Sequence, residues 1–526
     1  MNEKKIYPYL LVLILINLIV FIPAISLHPS FLTDDYYIFA KISQDPSSPI
    51  SLNPAEEYFL FVRPLSYFSF WLDFLVWNTS SSGMKITSLL LHLMYVSIFF
   101  FTILRLKNYL KLNIRNSILV LAAAAFSLYP DHLISIIWIS NRTELLSTLF
   151  YSASIYAVFA YLTAEKNKNI YLTGYFGFYV LSILSKQQGL HLPLLVIALI
   201  LIFKQKLTSA RYKRILYVSL AALFLTIVFS AVNYFILSDI FIGIWEAVRK
   251  KPFALIGIIS YIINPIIGAQ LHSFFILHKT IALVLAVLLL IPAALLLKRY
   301  KINVKIVLLT IIVLLIIFYP RLLASGQNRI NSIQVYWFYI AAFFLFCRFS
   351  KAMLIFSFII FINFTSILIN FNNDLKFLNI EKKKTEELSK LLENSGRPIY
   401  VVACTNNILV PYHLYFFRNN EFGCFNLNIS SIGFRSFTSN LDALEDTKIA
   451  CSLDDDNIVL KTVLDKMFLE FSSQNINNTD LVPIRLVESE LERNGTYKSL
   501  TVKLPEKFKT DYSLIYFDGK NWNHLN

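Results

Sequence analysis

Charge is scarce in this chain. Only 15% of its 526 residues are Asp, Glu, Lys or Arg, against 56% hydrophobic residues. A soluble protein carries about a quarter of its residues as charges, so a water-soluble globular chain is excluded. Cysteine is scarce as well, with four residues and no metal-ligand spacing. Cys347 lies in an apolar run. Cys404, Cys424 and Cys451 fall in a polar tail, where they allow one disulfide and one leftover thiol without fixing the pair. Internal repeats are lacking, and the tail carries no tetratricopeptide pattern. The start Met1-Asn2-Glu3-Lys4-Lys5 resembles a signal peptide, but no small-x-small cleavage site closes the apolar stretch that runs to about Leu27. The first helix is therefore expected to stay as an anchor.

What remains is apolar. Runs of about 20 hydrophobic residues, enough to cross a bilayer, recur as far as about residue 371. Spans are predicted at about 7–27, 84–104, 116–130, 143–163, 170–185, 190–203, 215–237, 280–297, 304–323, 331–347 and 352–371, about eleven transmembrane helices in all. The net charge of +15 would suggest nucleic acid in a soluble protein. Here the basic residues sit in short clusters between spans: Lys4 and Lys5; Arg105, Lys107, Lys111 and Arg115; Lys166 and Lys168; Lys204, Lys206, Arg211, Lys213 and Arg214; Lys298, Arg299, Lys301 and Lys305; Arg348 and Lys351. These fall in alternate connections and share one face if the N-terminus is cytoplasmic. Topology accounts for the charge, no nucleic-acid partner is expected, and an odd number of spans puts the C-terminal tail outside.

Residues 252–278 are apolar but broken by Asn264, Pro265, Gly268, His272 and His278. A full span there would invert the later basic loops, so a re-entrant or interfacial segment is expected. A short amphipathic helix over Phe241–Arg249 precedes it. Composition changes near residue 374. Pro398–Ala403 and Ser499–Lys503 read as strands, Asp518-Gly519 as a turn and Glu381–Lys390 as a helix. The expected organisation is a polytopic α-helical membrane domain over 1–373, a linker over 374–384 and a small α/β extracytoplasmic domain over 385–526.

Five polar clusters fall on the outer face. Asp34 and Asp35, in Phe31-Leu32-Thr33-Asp34-Asp35-Tyr36-Tyr37, stand just after the first span. They can supply a carboxylate base at the depth where a lipid tail fixes a reacting phosphate; a solvated acidic loop is the plainer reading. In an extended loop the two point to opposite sides, so only one would reach a given hydroxyl. Arg63-Pro64-Leu65 offers a guanidinium to grip a phosphate, or an anchor that snorkels to headgroups. His132, Arg142 and Glu144, in the stretch from Tyr129-Pro130-Asp131 through Trp138 and Asn141, serve either a site or the structure. Ser185-Lys186-Gln187-Gln188-Gly189 puts Lys186 outside against the positive-inside bias, where a cation asks for an anion. Arg321 and Arg329 complete the set. An acid–base centre ringed by cations suits a lipid-phosphate donor.

The ordered residues carry a resemblance. Asp34-Asp35, Arg63-Pro64-Leu65 leading to Leu72-Asp73, Leu90-Leu91-His92-Leu93, Leu128 to His132 with Trp138 and Arg142 to Leu146, and Leu184 to Gly189 resemble the GT-C glycosyltransferase superfamily. Within it, the match is to multi-spanning protein O-mannosyltransferases that carry tetratricopeptide repeats and to their bacterial relatives. The resemblance covers roughly residues 7 to 205. It implies an inverting transfer of a sugar, mannose among the candidates, from a polyprenyl-phosphate carrier to an acceptor hydroxyl on a protein or a surface glycan. It implies that Asp34 or Asp35 is the base, with Asp34 matching the first acidic position. Arg63, His132, Arg142, Glu144, Lys186, Gln187, Arg321 and Arg329 are the substrate-binding candidates. Gln187 stands where the family often has Glu, Tyr129 where it often has His, and the repeat domain is missing. No cofactor is implied beyond the lipid-linked donor, and a metal requirement is left open.

Two other classes compete. A transporter or flippase for a lipid-linked sugar usually shows internal repeats and charges near the bilayer midplane, whereas here the ionisable groups gather toward one face. A non-catalytic membrane scaffold presenting the tail would leave Asp34 and Asp35 free to change.

Overall fold

The computed structural model of the chain describes residues 6–27, 63–78, 80–110, 112–163, 168–203, 208–236, 332–347 and 351–368, together with Asp35, Ile38, Phe39, Ile42 and the strands between 399 and 524. The chain divides into two compact units: Met1–Pro29 with Ser47–Ile369, and Ser30–Pro46 with Asn370–Asn526.

The first unit is helical. Its helices are α1 (Tyr7–Leu27), α2 (Pro64–Trp77), α3 (Ser81–Tyr109), α4 (Asn116–Ser127), α5 (Asp131–Ile137), α6 (Arg142–Thr163), α7 (Lys168–Ser185), α8 (Leu192–Phe203), α9 (Ser209–Ile236), α10 (Ser332–Phe346) and α11 (Ala352–Leu368). A 21-residue helix such as α1 extends about 30 Å, the thickness of a bilayer's hydrocarbon core. Among the described residues, α1, α3, Ile139–Thr163 and Ser209–Val232 are each long and apolar enough to cross a membrane. The pair α4 and α5 also qualifies if it counts as one span bent by 61°. The bend falls at Leu128-Tyr129-Pro130, where proline removes a backbone donor and helical hydrogen bonding lapses. The protein is an integral membrane protein. The expected spans at 280–297 and 304–323, the interrupted stretch 252–278 and the helix over Phe241–Arg249 lie outside the described residues.

Helix α6 runs through the middle of this unit, and nearly every side chain from Arg142 to Leu162 is buried. Its small residues let α7 approach closely. Ser154 donates to the Tyr175 carbonyl at 2.8 Å, and the position of a Cβ on Gly174 would be 3.7 Å from that of Ala157. The outer surface of the unit is apolar instead. On α9, Tyr217, Phe224 (69% exposed) and Ile227 face outward; on α11, Leu354, Phe358 and Phe361 do so. Exposed side chains of this kind on a helix suit contact with lipid.

Sequence reading placed no separate element between the first loop and the second span. The structure inserts α2 there, and a tight turn joins it to α3. Asn78 adopts a positive φ of 51°, and Ser80 caps α3 by accepting from the Gly83 N–H at 3.3 Å. The Trp77 ring lies directly over Gly83, where any Cβ would sit 2.4 Å from the ring. Trp77 Nε1 donates to Thr87 at 3.0 Å, which fixes that ring.

Among the described residues, basic side chains from several of the clusters lie at one end of the unit. Arg105 donates to Thr163 Oγ1 at 2.7 Å and to the Ala160 carbonyl at 3.3 Å, with its guanidinium over the rings of Tyr156 and Tyr171. Lys107 donates to Asn116 at 2.8 Å, Tyr161 to the Arg211 carbonyl at 3.5 Å and Arg214 to Asn169 at 3.4 Å. The ends of α3, α6 and the starts of α4, α7 and α9 therefore lie together.

The second unit holds two sheets among its described residues. The first runs β10–β9–β1–β2, from Ile399–Ala403 (β1), Gly423–Cys424 (β2), Ser513–Phe517 (β9) and Trp522–His524 (β10). Strand β1 is parallel to both β2 and β9, and β9 and β10 are antiparallel. The second comprises Leu427–Ser431 (β3), Ile449–Asp454 (β4), Asn457–Thr462 (β5), Met467–Phe471 (β6), Arg485–Glu492 (β7) and Thr496–Lys503 (β8). One edge of β8 pairs with β7; the other is shared by β5 and, at Tyr497, by β6. Strands occur at both expected places, 398–403 and 499–503. The expected helix over Glu381–Lys390 lies outside the described residues.

The shared basic end is expected to face the cytoplasm. With Cys404, Cys424 and Cys451 replaced by Ser, a cysteine at the exposed Asn108 or Arg115 should react with an impermeant maleimide only after the membrane is opened. One at the exposed Ser80, at the opposite end of α3, should react in intact cells. The reverse pattern would overturn the orientation.

Candidate active site

The end of the first unit opposite the basic clusters holds two ion pairs of different character. It is built from α2, the first turns of α3 and α6, the 3-10 turn Ile139–Asn141 and the break between α7 and α8.

The first pair is Arg142 with Asp73. Arg142 opens α6, and Asp73 lies on α2, a helix too short to cross a bilayer. Arg142 Nη1 stands 2.5 Å from Asp73 Oδ2. Its other donors are used as well: Nε to Ser88 Oγ at 3.1 Å, Nη2 to the Met84 carbonyl at 2.6 Å and Nη1 to Ser69 Oγ at 3.4 Å. The guanidinium also stacks over Phe70, and the side chain is 0% exposed. Burial pushes the Asp73 carboxyl above the ordinary carboxylate range, and Arg142 and Thr87 pull against it. The pair ties α2 to α3 and α6. Arg142 was expected among the groups that meet a carrier phosphate, with a structural role as the alternative. Its guanidinium instead sits enclosed by α2 and α3, and Asp73 is the carboxylate beside it.

The second pair is Lys186 with Glu144, 3.2 Å apart. Glu144 sits in the first turn of α6, and Lys186 in the break that follows α7. The two side chains are 9% and 20% exposed respectively, so this pair keeps access to its surroundings. The break is clamped by serines. Ser147 donates to the Lys186 carbonyl at 3.1 Å, Ser182 to the Ser147 carbonyl at 2.8 Å and Ser66 to the Ser185 carbonyl at 2.9 Å. The Lys186 N–H donates to the Ser182 carbonyl at 3.1 Å. The next turn, Gln187–His191, is 3-10, and it packs so closely that a Cβ on Gly189 would lie 2.6 Å from Ser182 Oγ. Gln187 is half-buried on that turn.

His132 is buried on α5. Its Nδ1 lies 3.3 Å from the Ser127 carbonyl, and its Nε2 has no hydrogen-bond partner among the described residues. Its ring sits 4.9 Å from that of His92, whose Nε2 meets Asn17 Oδ1 at 3.2 Å. His132 is therefore packed among the Phe126, Tyr129 and Tyr95 rings, in the interior with α1 and α3. Arg63 is half-buried directly before α2, with its carbonyl accepting from Tyr67 N at 3.2 Å.

Asp35 belongs to the second unit. It has helical backbone rather than the extended loop expected, and it is 0% exposed. A solvated acidic loop would leave it in water, so that reading fails for Asp35. Asp34, Arg321 and Arg329 lie outside the described residues. Among the described residues, no group of three or more His, Cys, Asp or Glu side chains is arranged to hold a metal.

Sequence reasoning missed Lys85, which is fully buried in the first turn of α3. It passes the same test as Lys186, being a cation near the end of a span away from the basic end. It also missed the serines at 66, 69, 88, 147 and 182. Their signal was a hydroxyl repeatedly placed inside an apolar helix, where it must find a partner.

No protein-family model matches the sequence, and no curated protein matches it. In structure, the chain is similar to the protein O-mannosyltransferase Pmt1-Pmt2 complex of S. cerevisiae bound to the sugar donor, with TM-score 0.32 and 17% identity over 45% of this chain. It spans about a third of that protein's length, 35%. It is also similar to ArnT from Cupriavidus metallidurans bound to undecaprenyl phosphate, with TM-score 0.38 and 11% identity over 95% of this chain and 98% of that one. At these scores neither likeness decides the function, which rests on the side chains themselves.

Two stability outcomes follow. Arg142→Leu strands the Asp73 carboxylate and should cost about 3–5 kcal/mol, read as a fall in the melting temperature of the purified protein. Adding Asp73→Leu should recover much of that loss. A stable Arg142→Leu protein would mean that the guanidinium is not a structural tie. Gly189→Ala should cost about 1–3 kcal/mol through overpacking. Adding Ser182→Ala removes the hydroxyl it meets, so the double variant should melt above Gly189→Ala alone. Strictly additive losses would sink that account.

Proposed function

We propose that the protein is a membrane glycosyltransferase that moves a sugar from a polyprenyl-phosphate carrier to an acceptor hydroxyl, on a protein or a surface glycan. The observation that carries this reading is Lys186. It is a cation at the end of the bundle away from the basic clusters, its backbone is clamped, and its side chain is still accessible. The ordered motifs that resemble the GT-C superfamily support the same reading.

In the reaction, the acceptor oxygen attacks the anomeric carbon from the face opposite the phosphate. The bond from that carbon to the phosphate oxygen breaks, and its electron pair stays on the phosphate. The hydroxyl proton passes to a carboxylate of the first loop, Asp34 or Asp35. Lys186 and Arg63 balance the charge left on the carrier phosphate. His132, Gln187, Arg321 and Arg329 remain candidates for donor contacts. Arg142 acts at one remove, by holding α2, and with it the position of Arg63, against α3 and α6. Mannose is one candidate sugar, and a divalent metal is an open requirement.

The test is transfer from a defined polyprenyl-phosphate sugar by purified protein, with folding monitored separately. A general base contributes about 10²–10⁴-fold, so Asp34→Asn or Asp35→Asn should slow turnover by that factor. Lys186→Gln should lower kcat/KM for the donor. Normal turnover in both Asn variants would remove the catalytic role. An unchanged kcat/KM in Lys186→Gln would remove the phosphate contact.

A further inference from the structure

The two ion pairs at the outer end of the first unit are built for different tasks, and the difference suggests how donor binding is controlled. We propose that Glu144 is a resting counter-ion for Lys186 that yields the ammonium to the carrier phosphate as charge grows on it. The proposal rests on the reading above that Lys186 meets a lipid phosphate.

Three features of the pair support the exchange. First, Lys186 is able to move. An ammonium is a compact charge on a flexible stem with three rotatable donors, and this side chain keeps 20% exposure. The Arg142 guanidinium shows the contrast: it is divided among Asp73, Ser88, Ser69 and the Met84 carbonyl, with no exposure. Secondly, movement is confined to the side chain. The Lys186 carbonyl accepts from Ser147 and its N–H donates to the Ser182 carbonyl, so the ammonium swings from a fixed pivot. Thirdly, Glu144 can lose its cation without being stranded. It lies in the first turn of α6, where the helix dipole favours a carboxylate.

Chemistry gives the exchange a direction. The donor is a phosphodiester with one negative charge, and the leaving polyprenyl phosphate is a monoester that approaches two. A carboxylate competes with the first on nearly equal terms and loses to the second, because charge-assisted bonds strengthen with the charge of the acceptor. Lys186 is then recruited as the glycosidic bond breaks. An interaction made more strongly in the transition state than in the ground state raises turnover instead of merely tightening binding.

The sign of the Glu144 effect tests this. Binding of farnesyl phosphate and of its methyl diester is measured on the full-length protein in lipid nanodiscs. The wild-type protein should prefer the monoester. Glu144→Gln frees Lys186 and should tighten both ligands, the monoester by roughly 3- to 10-fold, the value of a partly exposed ion pair. The diester, which draws Lys186 from Glu144 only in part, should gain less, so the preference widens. Glu144→Asp, which withdraws the carboxylate but keeps its charge at the helix start, should shift binding in the same direction by less. This variant serves if Glu144→Gln does not fold. Lys186→Gln should weaken both ligands, and adding Glu144→Gln to it should change nothing further. Weaker or unchanged binding in both Glu144 variants, with Lys186→Gln still weak, would overturn the counter-ion role and leave the phosphate contact standing. Wild-type binding that Lys186→Gln does not alter would overturn the phosphate contact itself.

Discussion

Hydrocarbon offers no hydrogen-bond partner, and this constraint places the polar side chains of the helical unit. Asn17 sits in the middle of α1, an otherwise apolar helix. It donates to the Leu13 carbonyl and to Ser127 Oγ, and it meets His92 through its carbonyl oxygen. One amide thus ties α1 to α3 and α4. Asn363 does the same between α11, the Ala125 carbonyl and Tyr339. Tyr336 reaches Thr102, and Trp337 donates to Tyr151, which meets His191. These bonds cross between helices far apart in sequence. Packing between apolar helices in lipid gains little from the hydrophobic effect, so small residues and such cross-links hold the bundle together.

The same constraint produces the break at Lys186. A helix that ends inside a packed bundle leaves carbonyls without donors. Here Ser66 and Ser147 supply hydroxyls to the Ser185 and Lys186 carbonyls. The interruption then costs little, and it delivers a lysine to a defined place. Gly189 completes the arrangement, because only a residue without a Cβ lets the 3-10 turn pass within contact of Ser182. What reads in sequence as a polar interruption is a clamped corner.

Much of this was legible from the residues. The spans at 7–27, 143–163 and 331–347 were marked by mostly apolar runs, and α1, α6 and α10 fall there. The alternation of basic clusters foretold the shared end where Arg105, Lys107 and Arg211 meet. Other features were hidden for physical reasons. Helix α3 begins at Ser81, ahead of the expected 84, because Ser81, Ser82 and Gly83 look like a loop until Trp77 is seen lying on Gly83. Helix α2 has an apolar sequence too short to signal a span. The partner of Arg142 lies 69 positions earlier, and no periodicity links the two. Glu144, two residues away on the same helix, does not share a helical face with it.

The end of the bundle away from the basic residues therefore separates two uses of charge that sequence cannot distinguish. A guanidinium with five fixed donors suits a site where each donor meets a protein group, since any donor left over would be buried without a partner. Arg142 is used in that way, and its value is structural: it keeps α2 seated against α3 and α6. A lysine suits the opposite requirement. Its ammonium satisfies one carboxylate without being locked to it, and partial exposure lowers the cost of leaving. Arg142 is enclosed among four groups of α2 and α3, whereas the Lys186 ammonium, paired with Glu144, keeps partial exposure on a clamped backbone. A site whose lipid-borne ligand changes charge is served by a fixed frame beside a cation that is not fully enclosed.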